Sequence, residues 1–132
     1  MNAMNTSNIY TMFVYGTLKK GFRNNTLLQD SIYLGTGTTF NYALKYSNNL
    51  SGFPIMFKRK NNVVHGELYA VDEDTLKQLD ILEDEGGLYN RKKVKVNTGT
   101  ETIPAYSYIG NRLMWDLKKL KDVGKKEHNW NG

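Results

Sequence analysis

FVYGTLKKG, residues 13–21, decides how this chain is read. Met12–Tyr15 is apolar and β-prone, which predicts a buried strand, and Gly16 ends it abruptly. Gly16 is followed by a hydroxyl side chain, a leucine, two lysines and a second glycine. A strand that stops at glycine frees backbone N–H groups to turn inward, and glycine lets another group approach the main chain closely. The stretch therefore reads as a strand feeding a loop that lines a cavity, although an ordinary strand-end turn would also accept Tyr-Gly.

Working outward, Asn24–Leu28 reads as one helical turn. Ser31–Thr39, with Gly35 and Gly37 marking a bend or bulge, reads as a strand. Tyr42–Tyr46 and Pro54–Lys58 read as two further short strands. Asn61-Asn62 reads as a turn before a strand at Val63–Tyr69. Asp72 is placed to cap a helix running to about Leu82, with Leu76, Leu79 and Leu82 facing the core and Gly86-Gly87 ending it. Arg91–Val96 alternates, with Val94 and Val96 on one face and Lys93 and Lys95 on the other; Asn97–Thr100 is a hairpin turn, and Thr102–Ile109 returns. Beyond Gly110 the chain is polar and lysine-rich, with a short helix expected at Leu113–Leu120 and fraying at Gly124–Gly132. Six or seven strands with one substantial helix predict an α+β domain on a mostly antiparallel, barrel-like sheet.

The 132 residues match one ordinary domain. There is no cysteine, so neither a disulfide nor a thiolate site can form. The 18 basic and 13 acidic residues leave a net charge of +5, which serves solubility as readily as a phosphate-rich partner. No nucleic-acid motif accompanies that charge, which argues against nucleic acid as the partner. The opening MNAMNTSNIY has neither the basic segment nor the apolar stretch of a secretory signal. No apolar run approaches the ~20 residues of a membrane helix, so a cytoplasmic protein without a membrane partner is expected.

Candidates for chemistry are few. His65 lies inside a predicted strand and His128 in the predicted frayed tail, too far apart in sequence for a metal pair, so no metal site is expected. Carboxylates remain. Asp80, Glu83, Asp84 and Glu85 crowd the end of the predicted helix, where the helix dipole disfavours acids. Such a local conflict marks either a functional site or a solvated acidic turn neutralised by Arg91, Lys92 and Lys93. Burial beside like charges would raise a carboxylate's pKa, which suits a base that must return its proton.

FVYGTLKKG together with Asn24 and Leu27-Leu28, Gly52-Phe53-Pro54, VVHGELYAVDEDTLKQLDILE, YNRKKVKV and AYSY resembles, in that order over residues 12–109, the γ-glutamylcyclotransferase superfamily, in particular its γ-glutamylamine cyclotransferase or AIG2-like branch. The resemblance implies a small mixed fold with a β-barrel and flanking helices, spanning 1–132 with a core at 12–109 and a polar tail at 110–132. It implies a small-molecule γ-glutamyl substrate, cyclised without a cofactor to 5-oxoproline with release of the free amine. The family's Tyr-Gly-(Ser/Thr)-Leu turn is Tyr15, Gly16, Thr17 and Leu18 here, and its late tyrosine is Tyr108. Its Leu-Asp-x-x-Glu helix end makes Glu83 the catalytic match. Asp84 stands where the family commonly has glycine, which leaves Glu85 as the alternative base. A binding module that keeps the fold without the chemistry is the competing class, and formation of 5-oxoproline separates the two.

Overall fold

The computed structural model describes residues 8–47 and 52–132. Residues 1–7, which carry most of the opening segment read above, lie outside the described residues. Strands β1 (Ile9–Val14), β2 (Ile32–Tyr46) and β3 (Ile55–Asp72) precede helix α1 (Glu73–Leu82). The hairpin of β4 (Tyr89–Asn97) and β5 (Thr102–Gly110) follows, then two short strands, β6 (Lys121–Asp122) and β7 (Glu127–His128).

The sheet order β2-β4-β5-β1-β3 closes on itself because β3 also pairs with β2, giving a five-stranded barrel. Most pairings are antiparallel; β1 and β3 each run parallel to β5. β6 pairs with the C-terminal end of β2, and β7 pairs with the middle of β3 at Val63 and Val64. The alternation of β1 divides the core, as successive strand residues point to opposite faces. Phe13 and Tyr15 pack with Leu44, Met56, Val64, Leu68 and Val96. Met12 and Val14 pack on the other face with Leu18, Leu76, Leu79, Tyr89 and Tyr108, under α1. β1 is thus a central strand, held between β3 and β5, and its C-terminal end delivers the chain to the Gly16 turn.

α1 begins as its sequence requires: the Asp72 carboxylate accepts the Thr75 N–H at 2.8 Å. It ends earlier than the glycine pair. Leu82 is the last helical residue, and Asp84 carries the left-handed φ of +49° that reverses the chain. Leu82 does not join the core; it is 41% exposed.

Three other expectations are corrected. The strands expected at Ser31–Thr39 and Tyr42–Tyr46 merge into one continuous strand, β2, which begins at Ile32, and those expected at Pro54–Lys58 and Val63–Tyr69 merge into β3, which begins at Ile55. Asn61 does take a left-handed φ of 63°, as a turn residue would, but so does Asn41 opposite (67°), and the Asn41 side chain accepts the Asn61 N–H at 3.1 Å. The pair kinks the ladder, with a register shift between Phe40 and Tyr42, instead of reversing the chain. The helix expected at Leu113–Leu120 is a single 3₁₀ turn, Leu117–Lys119. The tail does not fray: His128 is fully buried and Trp130 is 6% exposed.

Candidate active site

Fifteen residues enclose a cavity of about 240 Å³ where the end of β1 meets the end of α1. Tyr15, Gly16, Thr17, Leu18, Glu83 and Tyr108 all line it. Drug-sized ligands occupy pockets of roughly 300–1,000 Å³, so this one suits a smaller molecule.

The turn after β1 is tightly built. Lys19 N–H donates to the Gly16 carbonyl at 3.1 Å and Asn24 N–H to the Thr17 carbonyl at 3.0 Å. Asn24 Nδ2 donates to Thr17 Oγ1 at 2.8 Å, and Asn25 Nδ2 to the Leu18 carbonyl at 2.7 Å. The carbonyls are therefore satisfied, whereas among the described residues no acceptor faces the N–H groups of Gly16, Thr17 and Leu18. Unpaired N–H groups beside a cavity form an anion-receptive surface. Gly16 has a second reason to lack a side chain: a Cβ there would sit 2.7 Å from Pro54 Cδ. Pro54 is itself part of the cavity wall, and its carbonyl accepts the Tyr89 hydroxyl at 3.3 Å.

Across the cavity, α1 ends at Glu83. Glu83 keeps some solvent exposure at the helix end, but the cavity wall encloses its carboxyl, and this burial raises its pKa from 4.5 to about 7. Among the described residues no hydrogen bond or ion pair engages that carboxyl. Tyr15, Tyr89 and Tyr108 lie near it; burial raises the pKa of all three phenols, helped by the Glu83 charge at Tyr15 and Tyr89 and mainly by the Asp80 carboxylate at Tyr108.

The other acids divide by geometry. Asp80 faces the barrel: Arg91 Nη1 donates to its Oδ2, and the Tyr108 hydroxyl donates to its Oδ1 at 2.7 Å. Tyr108 in turn offers its carbonyl to the Tyr15 hydroxyl at 2.7 Å. Glu85 is exposed, its carboxylate accepts the Arg91 N–H at 3.2 Å, and it does not line the cavity. Asp84 occupies the left-handed position that glycine usually fills, a conformation aspartate tolerates better than most residues. Its Oδ2 accepts the Leu88 N–H at 3.1 Å. The side chain takes the space beside Gly87, where a Cβ would lie 2.2 Å from Asp84 Oδ2. The helix-end loop therefore accommodates the departure from glycine, and Glu83 still faces the cavity.

Matches to known proteins agree with this fold. The family model for gamma-glutamyl cyclotransferase, AIG2-like, matches residues 12–132. The chain belongs to the γ-glutamylcyclotransferase, AIG2-like family. It is similar to a candidate γ-glutamylcyclotransferase of Vibrio cholerae, 44% identical over 98 residues that cover 74% of this chain and 82% of that protein. It is also similar to the γ-L-glutamyl-butirosin B γ-glutamyl cyclotransferase of Niallia circulans, 33% identical over 76% of this chain and 67% of that protein. A mouse AIG2-like protein shares the fold, with a TM-score of 0.73 and 25% identity over 84% of this chain and 82% of that one.

Arg23, Asn24, Phe53, Leu82, Leu88 and Tyr89 also line the cavity but were not singled out from the sequence as site residues. Asn24, Phe53, Leu82 and Tyr89 lie within the stretches that carry the family resemblance; Arg23 and Leu88 give no such signal, because loop positions show no periodicity. Among the described residues no helix is long and apolar enough to cross a membrane.

Proposed function

We propose that this chain is a γ-glutamyl cyclotransferase that closes the glutamyl part of a γ-glutamyl amine or amide into 5-oxoproline and releases the free amine. The observation that carries this reading is the sharing of one small cavity by an unpaired carboxyl with a pKa near neutrality, Glu83, and the free N–H groups of Gly16–Leu18. The similarity to the butirosin B cyclotransferase supports the reaction class.

The chemistry is intramolecular. The substrate's α-amine attacks its own γ-carbonyl carbon, forming the lactam C–N bond, and ionised Glu83 takes the proton that the amine sheds. The tetrahedral oxyanion collapses, the bond to the departing amine breaks, and protonated Glu83 returns the proton to that nitrogen. A carboxyl with a pKa near 7 serves both halves, because it is substantially ionised and readily protonated at neutral pH. The N–H groups of the turn donate to anionic oxygens, either those of the substrate carboxylate or the developing oxyanion. Closure of a five-membered ring brings its own proximity advantage, which is why no cofactor enters the scheme. Asp80, through Tyr108 and Arg91, fixes the cavity wall and takes no proton in this scheme.

Incubating the purified protein with a panel of γ-glutamyl amines, amides and amino acids, scored for 5-oxoproline, tests the reading. Turnover of at least one member is expected. No 5-oxoproline from any of them would leave only a ligand-binding role for the cavity.

A further inference from the structure

Lys19 adjoins the turn Gly16–Leu18 but does not line its cavity. It is 6% exposed, and its side chain runs the other way. Its ammonium donates to Asn129 Oδ1 at 2.9 Å and to the Trp130 carbonyl at 2.7 Å. A buried ammonium is costly unless hydrogen-bonded, and burial lowers its pKa, so these two bonds hold an otherwise unfavourable group in place.

The segment that receives Lys19 is itself fixed. Val63 and Val64 of β3 pair in parallel with Glu127 and His128. His128 Nδ1 accepts the Gly124 N–H at 3.1 Å, which leaves Nε2 as the protonated nitrogen that donates to Asn62 Oδ1 at 3.0 Å. Trp130 packs against Tyr46, their ring centroids 6.1 Å apart. Residues 127–130 therefore form a strap clamped to β2 and β3, and Lys19 ties the turn to it across 110 and 111 residues of sequence. The Lys19 backbone completes the connection, since its N–H closes the turn on the Gly16 carbonyl.

We propose that Lys19 is a positioning residue: by anchoring the Gly16–Leu18 turn to the 127–130 strap, it holds the turn's N–H groups in the arrangement that receives the substrate. The effect on substrate rests on the function proposed above; the mechanical tie does not. With the tie cut, the turn samples more conformations, and the loss falls on binding. Proton transfer at Glu83, which the tie does not touch, is left intact.

The test is Lys19→Met, which keeps the aliphatic stem and removes the ammonium. A rise in KM of about tenfold is expected, with kcat within about threefold of wild type, the pattern of lost binding without lost chemistry. Hydrogen exchange supplies an activity-independent readout: the amides of Lys19 and Asn24, which close the turn, are expected to lose protection while those of α1 keep theirs. Unchanged KM and unchanged protection in folded Lys19→Met would overturn the proposal. If Lys19→Met does not fold, Asn129→Ala removes one of the two acceptors, and unchanged protection at Lys19 and Asn24 in that variant would overturn it equally. If the wild-type protein forms no 5-oxoproline from any γ-glutamyl compound, the proposed function fails and the exchange measurement alone decides whether the tie exists.

Discussion

Tyr108 donates its hydroxyl to Asp80 Oδ1 at 2.7 Å, joining the end of α1 to β5. The same carboxylate holds the Arg91 guanidinium, and the Tyr108 carbonyl receives the Tyr15 hydroxyl at 2.7 Å. Asp80 therefore links the helix that carries Glu83 to the strand end that carries the binding turn. Asp80→Ala removes two charge-assisted acceptor contacts in a partly buried setting. A loss of about 1–3 kcal/mol in urea unfolding is expected. Asp80→Asn keeps an acceptor for Tyr108, so its activity is expected to fall less than that of a Glu83 variant. Stability unchanged in Asp80→Ala would show that the link carries no load.

Gly16 is constrained by packing as well as by the ligand. A methyl group there meets the ring of Pro54, which cannot swing aside as a flexible side chain would. Gly16→Ala is expected to cost about 1–3 kcal/mol through overpacking and to raise KM, because the displaced Pro54 is part of the cavity wall. Gly16→Val is expected to be more severe in both. Thermal melts and steady-state kinetics on the same preparations check this, and an Ala variant with wild-type melting temperature and KM would contradict it.

The Asp84 turn gives an unusual expectation for a loop beside a proposed catalytic residue. Asp84 holds φ at +49°, and its carboxylate accepts the Leu88 N–H. Asp84→Gly relieves the left-handed strain while losing that bond, so near-wild-type activity is expected. Asp84→Ala keeps the strain and loses the bond, with an expected cost of about 1–2 kcal/mol and lower activity as Glu83 shifts. Chemical denaturation and initial rates of the two variants distinguish them; equal behaviour would refute the role given to φ.

Glu83 also sets a pH dependence. Its pKa is about 7 in the folded protein and 4.5 when unperturbed, so between these values the folded chain holds a proton that the unfolded chain has released. Stability from this group is therefore greatest at low pH and falls as pH rises through that window, by on the order of 2 kcal/mol after allowance for partial exposure. Glu83→Gln escapes the cost. Its melting temperature is expected to match wild type near pH 5 and exceed it near pH 8. The base must be ionised, so kcat/KM of the wild type is expected to fall as pH drops through about 7. A melting-temperature gap that does not widen with pH would contradict the burial of the carboxyl.

The sequence was legible where signals are local. The strand into Gly16, the Asp72 cap and the Asn97–Thr100 hairpin each depend on near neighbours, and each is found in place. The family pattern supplied Glu83, Tyr15–Leu18 and Tyr108, and all six face one cavity. What could not be read depends on distant partners. Asn61 gives the same turn signal whether the chain reverses or kinks; Asn41, twenty residues earlier, decides it. His128 and Trp130 stand in a polar stretch without periodicity, and their burial comes from β2, β3 and Lys19. Pro54 against Gly16 is likewise a contact between segments that sequence leaves unconnected.

The most direct measurement is 5-oxoproline release by Glu83→Gln beside Glu85→Gln, on a γ-glutamyl substrate that the wild-type protein turns over. Glutamine preserves the shape and hydrogen-bonding capacity of glutamate but takes up no proton at neutral pH. Glu83→Gln is expected to stay folded and lose at least ~100-fold in kcat, the usual scale for a general base, while Glu85→Gln stays close to wild type. An active Glu83→Gln enzyme would contradict the assignment, and an inactive Glu85→Gln beside it would move the base to the exposed side of the loop.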